Sequence, residues 1–363
     1  MNQKKSSKKE SFLKFSLKKE ILRAITDLGF NSPTPIQNKV IPHLMSSNQD
    51  LIASAQTGTG KTAAFGLPIL NAIDTTNSQV QTLILCPTRE LCIQITKDLS
   101  SYSKYLKSIN ILAVYGGVKI DKHFRSLKKK PQIVVGTPGR TKDLIKRKKL
   151  IVKNVGRLIL DEADEMLSMG FKDDLEFIIN GTSKEKQTLL FSATMTPKVI
   201  TVTKKYMHNS LEIAVSKVNR ANKNVQHLYY MVEAKHRYEV IKRIADMNPD
   251  IYGIVFCRTR KETKEVANKL MNDHYNADTI HGDLTQYERD DVMGRFRKRQ
   301  LQILVATDVA ARGLDVDDLT HVINYNLPDD DEIYIHRSGR TGRAGKQGIS
   351  LVIIHRRELR KLK

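Results

Sequence analysis

The chain has 363 residues, 40% of them hydrophobic and 28% charged, with only 19 Gly and 10 Pro; that composition excludes a disordered or fibrous polymer and suits two folded domains of roughly 150 to 200 residues. Lys and Arg outnumber Asp and Glu 61 to 39, for a net charge of +22, which favours a polyanionic partner, nucleic acid first, although a lysine-rich solubility surface would give the same sum. No apolar run approaches the roughly 18 to 20 residues of a membrane span, the basic start lacks the core of a secretory signal, and Cys86, Cys92 and Cys257 form no CxxC pair, so a cytoplasmic protein without membrane attachment is expected.

In chain order, a basic tail (residues 1–11) precedes LKKEILRAITDL, where Leu17, Ile21, Leu22, Ile25 and Leu28 recur at helical spacing on one face. Short apolar runs bounded by turn residues follow: DLIAS, TLILCP, ILAVYGG, QIVVGT, RLILDEAD and TLLFSAT. Buried strands alternating with amphipathic helices predict an α/β fold over residues 12–215, a mostly parallel sheet flanked by helices on both sides. Between the first strand and the next helix lies ASAQTGTGKT (53–62). Its glycines Gly58 and Gly60 let backbone N–H groups turn inward around phosphate oxygens, Lys61 reaches the outer phosphates, and the Thr62 hydroxyl is offered to Mg²⁺. The loop carries Ala55 where the pattern has Gly. Farther on, LILDEADEML ends a strand in four carboxylates, Asp161, Glu162, Asp164 and Glu165. Such crowding is unfavourable unless positive charge offsets it. Asp161 is therefore the candidate ligand for a nucleotide-bound Mg²⁺, and Glu162 the candidate to orient or deprotonate the attacking water. Glu165 is explained by the dipole of a helix N-terminus.

A polar linker is expected over 216–225, and residues 226–363 repeat the theme with QHLYYMV, GIVFCRTR, DTIHGD, QILVATD, HVINYNLP and ISLVIIH. CPTRE (86–90) resembles CRTRK (257–261), and QIVVGT (132–137) resembles QILVAT (302–307). From Thr88 to Thr137 is 49 residues and from Thr259 to Thr307 is 48, with YGG and HGD between them in the same order. Two matched pairs at matched separation predict two similarly folded lobes. In the second, Arg340 and Arg343 lie three apart, the spacing of one helical face.

Together these motifs resemble the DEAD-box ATP-dependent RNA helicases, of a bacterial kind: DEAD at 161–164, with AQTGTGKT before it and SAT at 192–194 after it. GFNSPTPIQ (29–37) resembles the family's adenine-reading segment. PTREL, the pair Gly116 and Gly117, and TPGR (137–140) follow, then VFCRTR, HGDLTQYER, ATDVAARGLD (306–315) and HRSGRTGRAG (336–345). The resemblance covers residues 12–355 and implies two tandem RecA-like lobes. It implies that the Gln37 amide bonds the adenine edge with Phe12 or Phe30 packed on the ring. It further implies that Ala55, Gln56, Thr57, Gly58, Thr59 and Gly60 cradle the phosphates beside Lys61 and Thr62, that Gly313 also lies at the nucleotide, that Asp315 contacts the ribose, and that Arg340 and Arg343 reach the γ-phosphate. Asp164, Ser192, Thr194 and His336 would couple the lobes. RNA would lie on Pro87, Thr88, Arg89, Gly116, Gly117, Thr137, Gly139 and Arg140 in the first lobe. In the second it would lie on Arg258, Gly282, Gln286, Thr307 and Arg312. Small residues allow close backbone approach, while arginines and threonines grip phosphates. Ser338 stands where the family usually carries an aliphatic residue. The lysine clusters at 122–130 and 146–153 either extend this footprint or form solvated helix faces.

The function so implied is an RNA-stimulated ATPase, a monomer using ATP and Mg²⁺, that separates short RNA duplexes or remodels RNA–protein complexes as ATP and RNA together close the lobes. Ribosome-assembly or RNA-decay proteins would be ordinary partners. An ATP-gated RNA clamp without productive unwinding carries the same motifs. A processive DNA translocase of the same superfamily is a further alternative, disfavoured by the PTPIQ and DEAD elements. The chain stops at Lys363 with no RNA-binding module following, as expected of a minimal core or a shortened chain.

Overall fold

Short segments rich in Leu, Ile and Val form the central strands of the first unit, because a segment covered on both faces buries successive side chains rather than alternate ones. The computed structural model describes residues 11–55, 58–214, 224–311, 316, 319–328, 330–342 and 346–362. The chain divides into two units, residues 1–217 and 218–363. In the first, the strands are β1 (Leu51–Ser54), β2 (Thr82–Leu85), β3 (Ile111–Val114), β4 (Ile133–Gly136), β5 (Arg157–Asp161), β6 (Gln187–Ser192) and β7 (Leu211–Ala214). Their order is β3-β4-β2-β5-β6-β1-β7, with every pairing parallel. Helices α1 (Lys19–Asp27), α2 (Pro35–Ser46), α3 (Lys61–Ala72), α4 (Arg89–Tyr102), α5 (Ile120–Leu127), α6 (Pro138–Lys146), α7 (Ala163–Ser168), α8 (Lys172–Gly181) and α9 (Pro197–Tyr206) connect them.

Alternate residues of each strand feed two cores. Leu83 and Leu85 of β2 join Leu158 and Leu160 of β5 on one face, while Ile84 and Ile159 join Phe65 and Phe191 on the other. In α1, Ile21 and Ile25 are buried as the spacing predicts, but Leu28 is 46% exposed. The helix ends at Asp27 and the chain turns through Gly29 at φ +77°, which carries Leu28 off the apolar face. Strand β7 was not anticipated; it sits at the sheet edge, and of its residues only Ile213 is buried.

The second unit contains β8 (Val225–Met231), β9 (Gly253–Phe256), β10 (Ala277–Ile280), β11 (Ile303–Ala306), β12 (His321–Asn324) and β13 (Gly348–Ile354). Its helices are α10 (Arg237–Met247), α11 (Arg260–Asn272), α12 (Gln286–Arg297), α13 (Asp308–Ala311) and α14 (Asp331–Ser338). The order β10-β11-β9-β12-β13-β8, again all parallel, reproduces β3-β4-β2-β5-β6-β1 strand for strand. The internal repeat reaches into the turns. Thr88 caps α4 by accepting from the Leu91 N–H at 3.2 Å, and Thr259 caps α11 by accepting from the Glu262 N–H at 3.1 Å. The expected α/β fold with two parallel sheets is thus the fold observed. The basic tail up to residue 10 and linker residues 216–223 lie outside the described residues, and Val225, expected as the linker's last residue, opens β8.

Candidate functional site

Parallel strands place all their carboxyl ends on one edge, where ligands of open α/β sheets bind. Because of the strand order, that edge of the first unit divides into two halves. The phosphate loop, DEAD and SAT follow the contiguous strands β1, β5 and β6, whereas PTREL, Gly116–Gly117 and TPGR follow the contiguous strands β2, β3 and β4.

In the first half the backbone turns through Gly58 and Gly60 at φ +77° and +88°, conformations open to Gly, and α3 begins at Lys61. Lys61 is 7% exposed, and its Nζ has no hydrogen-bond partner among the described residues. It pairs with Asp161 Oδ1 at 3.7 Å, too long for a hydrogen bond. A buried ammonium so sparsely satisfied is a place for anionic oxygens. Burial holds the Asp161 carboxyl above its ordinary range, with Lys61 pulling the other way. Thr62 is the second residue of α3, so its hydroxyl and the Asp161 carboxylate are hard oxygen donors of the kind Mg²⁺ accepts alongside phosphate and water. Among the described residues no group of three or more His, Cys, Asp or Glu forms a metal cage.

Gln37 is 3% exposed, and its carboxamide is already engaged. The carbonyl accepts from the Thr34 N–H at 2.9 Å and the NH₂ donates to the Gly60 carbonyl at 3.1 Å, tying α2 to the phosphate loop. A Cβ on Gly60 would stand 2.4 Å from Gln37 Nε2. G60A is therefore expected to weaken ATP binding about tenfold or more, since a lost 1.4 kcal/mol already does so. An unchanged Kd in a fluorescent-nucleotide titration would remove the loop from the binding site. Phe12 is buried at 5%, its ring 6.0 Å from Phe15 and 6.1 Å from Phe30, so it belongs to the core; Phe30 is half-buried.

Glu162 follows Asp161 in the left-handed region at φ +53°, and its N–H donates to Asp161 Oδ1 at 3.0 Å. Asp164 Oδ2 accepts from the Thr194 N–H at 2.9 Å and the Thr194 hydroxyl at 2.8 Å, while the Ser192 hydroxyl donates to the Thr194 carbonyl at 2.6 Å. DEAD and SAT are one hydrogen-bonded unit.

In the other half, Thr88 and Thr137 are the N-caps of α4 and α6, Pro87 precedes Thr88, and added Cβ atoms at Gly116 would meet nothing within 4 Å. Gly117 turns at φ +80°, and Gly139 sits in the first turn of α6 with open space except for Asp174 Oδ2 at 3.6 Å. The Arg89 guanidinium lies over the Tyr115 ring at 4.9 Å, and Arg140 donates to the Val118 carbonyl at 2.9 Å.

In the second unit, Arg258 donates to the Leu327 carbonyl, Gln286 opens α12 and bonds Asp290, Thr307 precedes α13, and Gly282 lies in open space. The expectation that Arg340 and Arg343 share a helical face is corrected: α14, which carries His336 in its last turn, ends at Ser338, and Arg340 lies in the turn beyond it. Arg343, Arg312, Gly313, Asp315, Gln56 and Thr57 lie outside the described residues. Sequence reasoning missed Arg337, which is 5% exposed, bonds both Asp308 oxygens at 2.6 and 2.7 Å and Asn324 at 2.8 Å, and so joins ATDVAAR to HRSGR. Its partners lie 29 and 13 residues away, beyond any local spacing signal.

Ser338, where an aliphatic residue was expected, bonds the buried Ser350 hydroxyl at 2.8 Å. S350A is expected to cost about 1–3 kcal/mol by stranding that partner, and S338A/S350A little more than either single change. Additive losses in denaturant unfolding would mean the two hydroxyls do not pair.

A family model described as DEAD/DEAH box helicase matches residues 34–202, and one described as helicase conserved C-terminal domain matches residues 236–345. The ATP-dependent RNA helicase CshA of Listeria monocytogenes is 47% identical over 348 residues, 96% of this chain and 66% of that protein, so the chain spans about two thirds of that relative's length. Mss116p bound to ssRNA and AMP-PNP superposes with a TM-score of 0.88 at 32% identity, covering 100% of this chain and 79% of that one. Dbp5 of S. cerevisiae bound to RNA and ADP BeF3 superposes with a TM-score of 0.85 at 30% identity, covering 95% and 90%.

Proposed function

We propose, proceeding from the fact that this chain belongs to the DEAD-box family of ATP-dependent RNA helicases, that it is an RNA-stimulated ATPase which separates short RNA duplexes, or remodels RNA–protein complexes, as ATP and RNA together close its two lobes. The observation that carries this reading is the divided strand edge: phosphate-binding and acidic residues follow β1, β5 and β6, and arginines, threonines and glycines suited to a nucleic-acid backbone follow β2, β3 and β4.

On this reading Lys61 binds the outer phosphates of ATP, and the Gly58–Gly60 turn lets backbone N–H groups cradle the rest. Thr62 and Asp161 would hold Mg²⁺, which when bound neutralises charge on the transferred phosphate. Glu162 orients the attacking water and takes its proton. The Gln37 amide reads adenine with its remaining hydrogen-bonding capacity, beside Phe30, and so favours ATP over GTP. Asp315 contacts the ribose, and Gly313 also lies at the nucleotide. Arg340 and Arg343 stabilise the charge of the transition state, which makes hydrolysis depend on the second lobe. Asp164, Ser192, Thr194 and His336 couple that step to lobe closure. The RNA strand runs over Arg89, Gly116, Thr137 and Arg140 and over Arg258, Gln286, Thr307 and Arg312, and is bent there away from duplex geometry. The protein works as a cytoplasmic monomer, alongside ribosome-assembly or RNA-decay proteins; no helix among the described residues is long and apolar enough to cross a membrane.

The test is a strand-separation assay on a short RNA duplex. ATP-dependent release of the labelled strand is expected. Tight ATP-dependent binding without release would make the protein a clamp instead.

A further inference from the structure

Two side chains to which no role has been given above stand between the arginines of the nucleic-acid half. Tyr115 follows β3, and His123 lies in α5 within the lysine-rich stretch 122–130. His123 is 4% exposed, and its Nδ1 is 2.8 Å from an Arg140 terminal nitrogen. A guanidinium can only donate, so Nδ1 accepts and the imidazole is neutral, its proton on Nε2. Burial, and after it the Arg140 charge, hold the ring in that state by pushing its pKa down to about 4. The Val118 carbonyl takes a second N–H of the same guanidinium at 2.9 Å, so Arg140 is fixed at two points. The Tyr115 ring meets the His123 ring edge to face at 5.7 Å and 84°, and the Arg89 guanidinium lies over Tyr115 at 4.9 Å. Arg89, Tyr115, His123 and Arg140 form one continuous row contributed by α4, the end of β3, α5 and α6.

We propose that Tyr115 and His123 are positioning residues that hold Arg89 and Arg140 ready for an RNA backbone. The proposal rests on the reading in which those arginines bind RNA. A long guanidinium side chain loses rotamer freedom when it grips a phosphate, and one already held by its neighbours loses less. The aromatic pair therefore acts on RNA affinity without touching RNA.

The test measures single-stranded RNA affinity by fluorescence anisotropy in the presence of a non-hydrolysable ATP analogue, over a series of salt concentrations, with thermal unfolding followed in parallel. R140A is expected to lower the slope of log K against log salt by about 0.7, the value of one single-strand phosphate contact. H123L, which keeps bulk and removes the acceptor, is expected to weaken binding several-fold and lower the slope by a like amount. H123N, whose carbonyl oxygen replaces Nδ1, is expected to restore both, and R140A/H123L to fall no further than R140A. Y115L is expected to stand in the same relation to R89A. If R140A changes affinity and slope while H123L changes neither, the positioning role is overturned. If R140A itself changes nothing, the RNA reading of this edge fails and the positioning role fails with it. Should H123L not fold, the ¹⁵N spectrum of the intact chain decides. The Nε2–H tautomer of His123 is expected at neutral pH, and an Nδ1–H tautomer or an imidazolium would overturn the proposal, because neither could accept from Arg140.

Discussion

Replacing Glu162 by Gln is expected to slow RNA-stimulated ATP hydrolysis about 10²- to 10⁴-fold, the range of a lost general base, while ATP still binds. Two features of the site lead there. Glu162 is 9% exposed and follows the strand that carries Asp161, so its carboxylate is held at the rim of the phosphate site rather than in bulk water. Its backbone sits at φ +53° and ψ +51°, a conformation that costs a non-glycine residue about 1 kcal/mol or more and persists where the surroundings impose it. Gln keeps the shape of the side chain but can neither take the proton of a water nor carry its charge. Single-turnover hydrolysis beside an ATP titration separates the effects, and a loss below tenfold would exclude Glu162 as the base.

R340K is expected to lower the RNA-stimulated rate about 10³-fold or more, the scale on which an arginine supplied to a phosphoryl-transfer site acts. Lysine keeps the positive charge and loses the planar fork that can meet two phosphate oxygens at once. The backbone there is anchored: the Arg340 N–H donates to the Arg337 carbonyl at 3.1 Å, and the Arg337 guanidinium is bound to Asp308 and Asn324. The substitution thus changes the head group more than its place. Steady-state hydrolysis at saturating RNA is the measurement, and a rate within a few-fold of the unsubstituted protein would show that the second lobe does not complete the site.

Most of the twelve strands expected from the sequence were legible as near-continuous apolar runs, the signature of a strand covered on both faces, although the edge strand β8 buries only Val225 and β10 carries Asp278 and Thr279. Strand β7 was not, since LEIA at a sheet edge buries only Ile213. The repeated CPTRE and CRTRK were legible down to the capping role of Thr88 and Thr259, because a cap acts within three residues of itself. Relations across the chain were hidden. The bond from Thr194 to Asp164 could be expected from the resemblance alone, whereas Arg337 with Asp308, and His123 with Arg140, join residues that no periodicity relates. The spacing of Arg340 and Arg343 misled because a three-residue interval implies a shared face only while the helix lasts, and α14 stops at Ser338. Gln37 illustrates a further limit: its type suggested adenine, and its bonds to Thr34 and Gly60 also give it work inside the lobe.

In the proposed function, nucleotide chemistry on one half of the strand edge is switched on by a strand bound to the other half. Its most direct test is the ATP hydrolysis rate of the intact chain alone, with single-stranded RNA, and with DNA of the same length. A many-fold rise with RNA and little with DNA is expected. A rate that RNA leaves unchanged would contradict it.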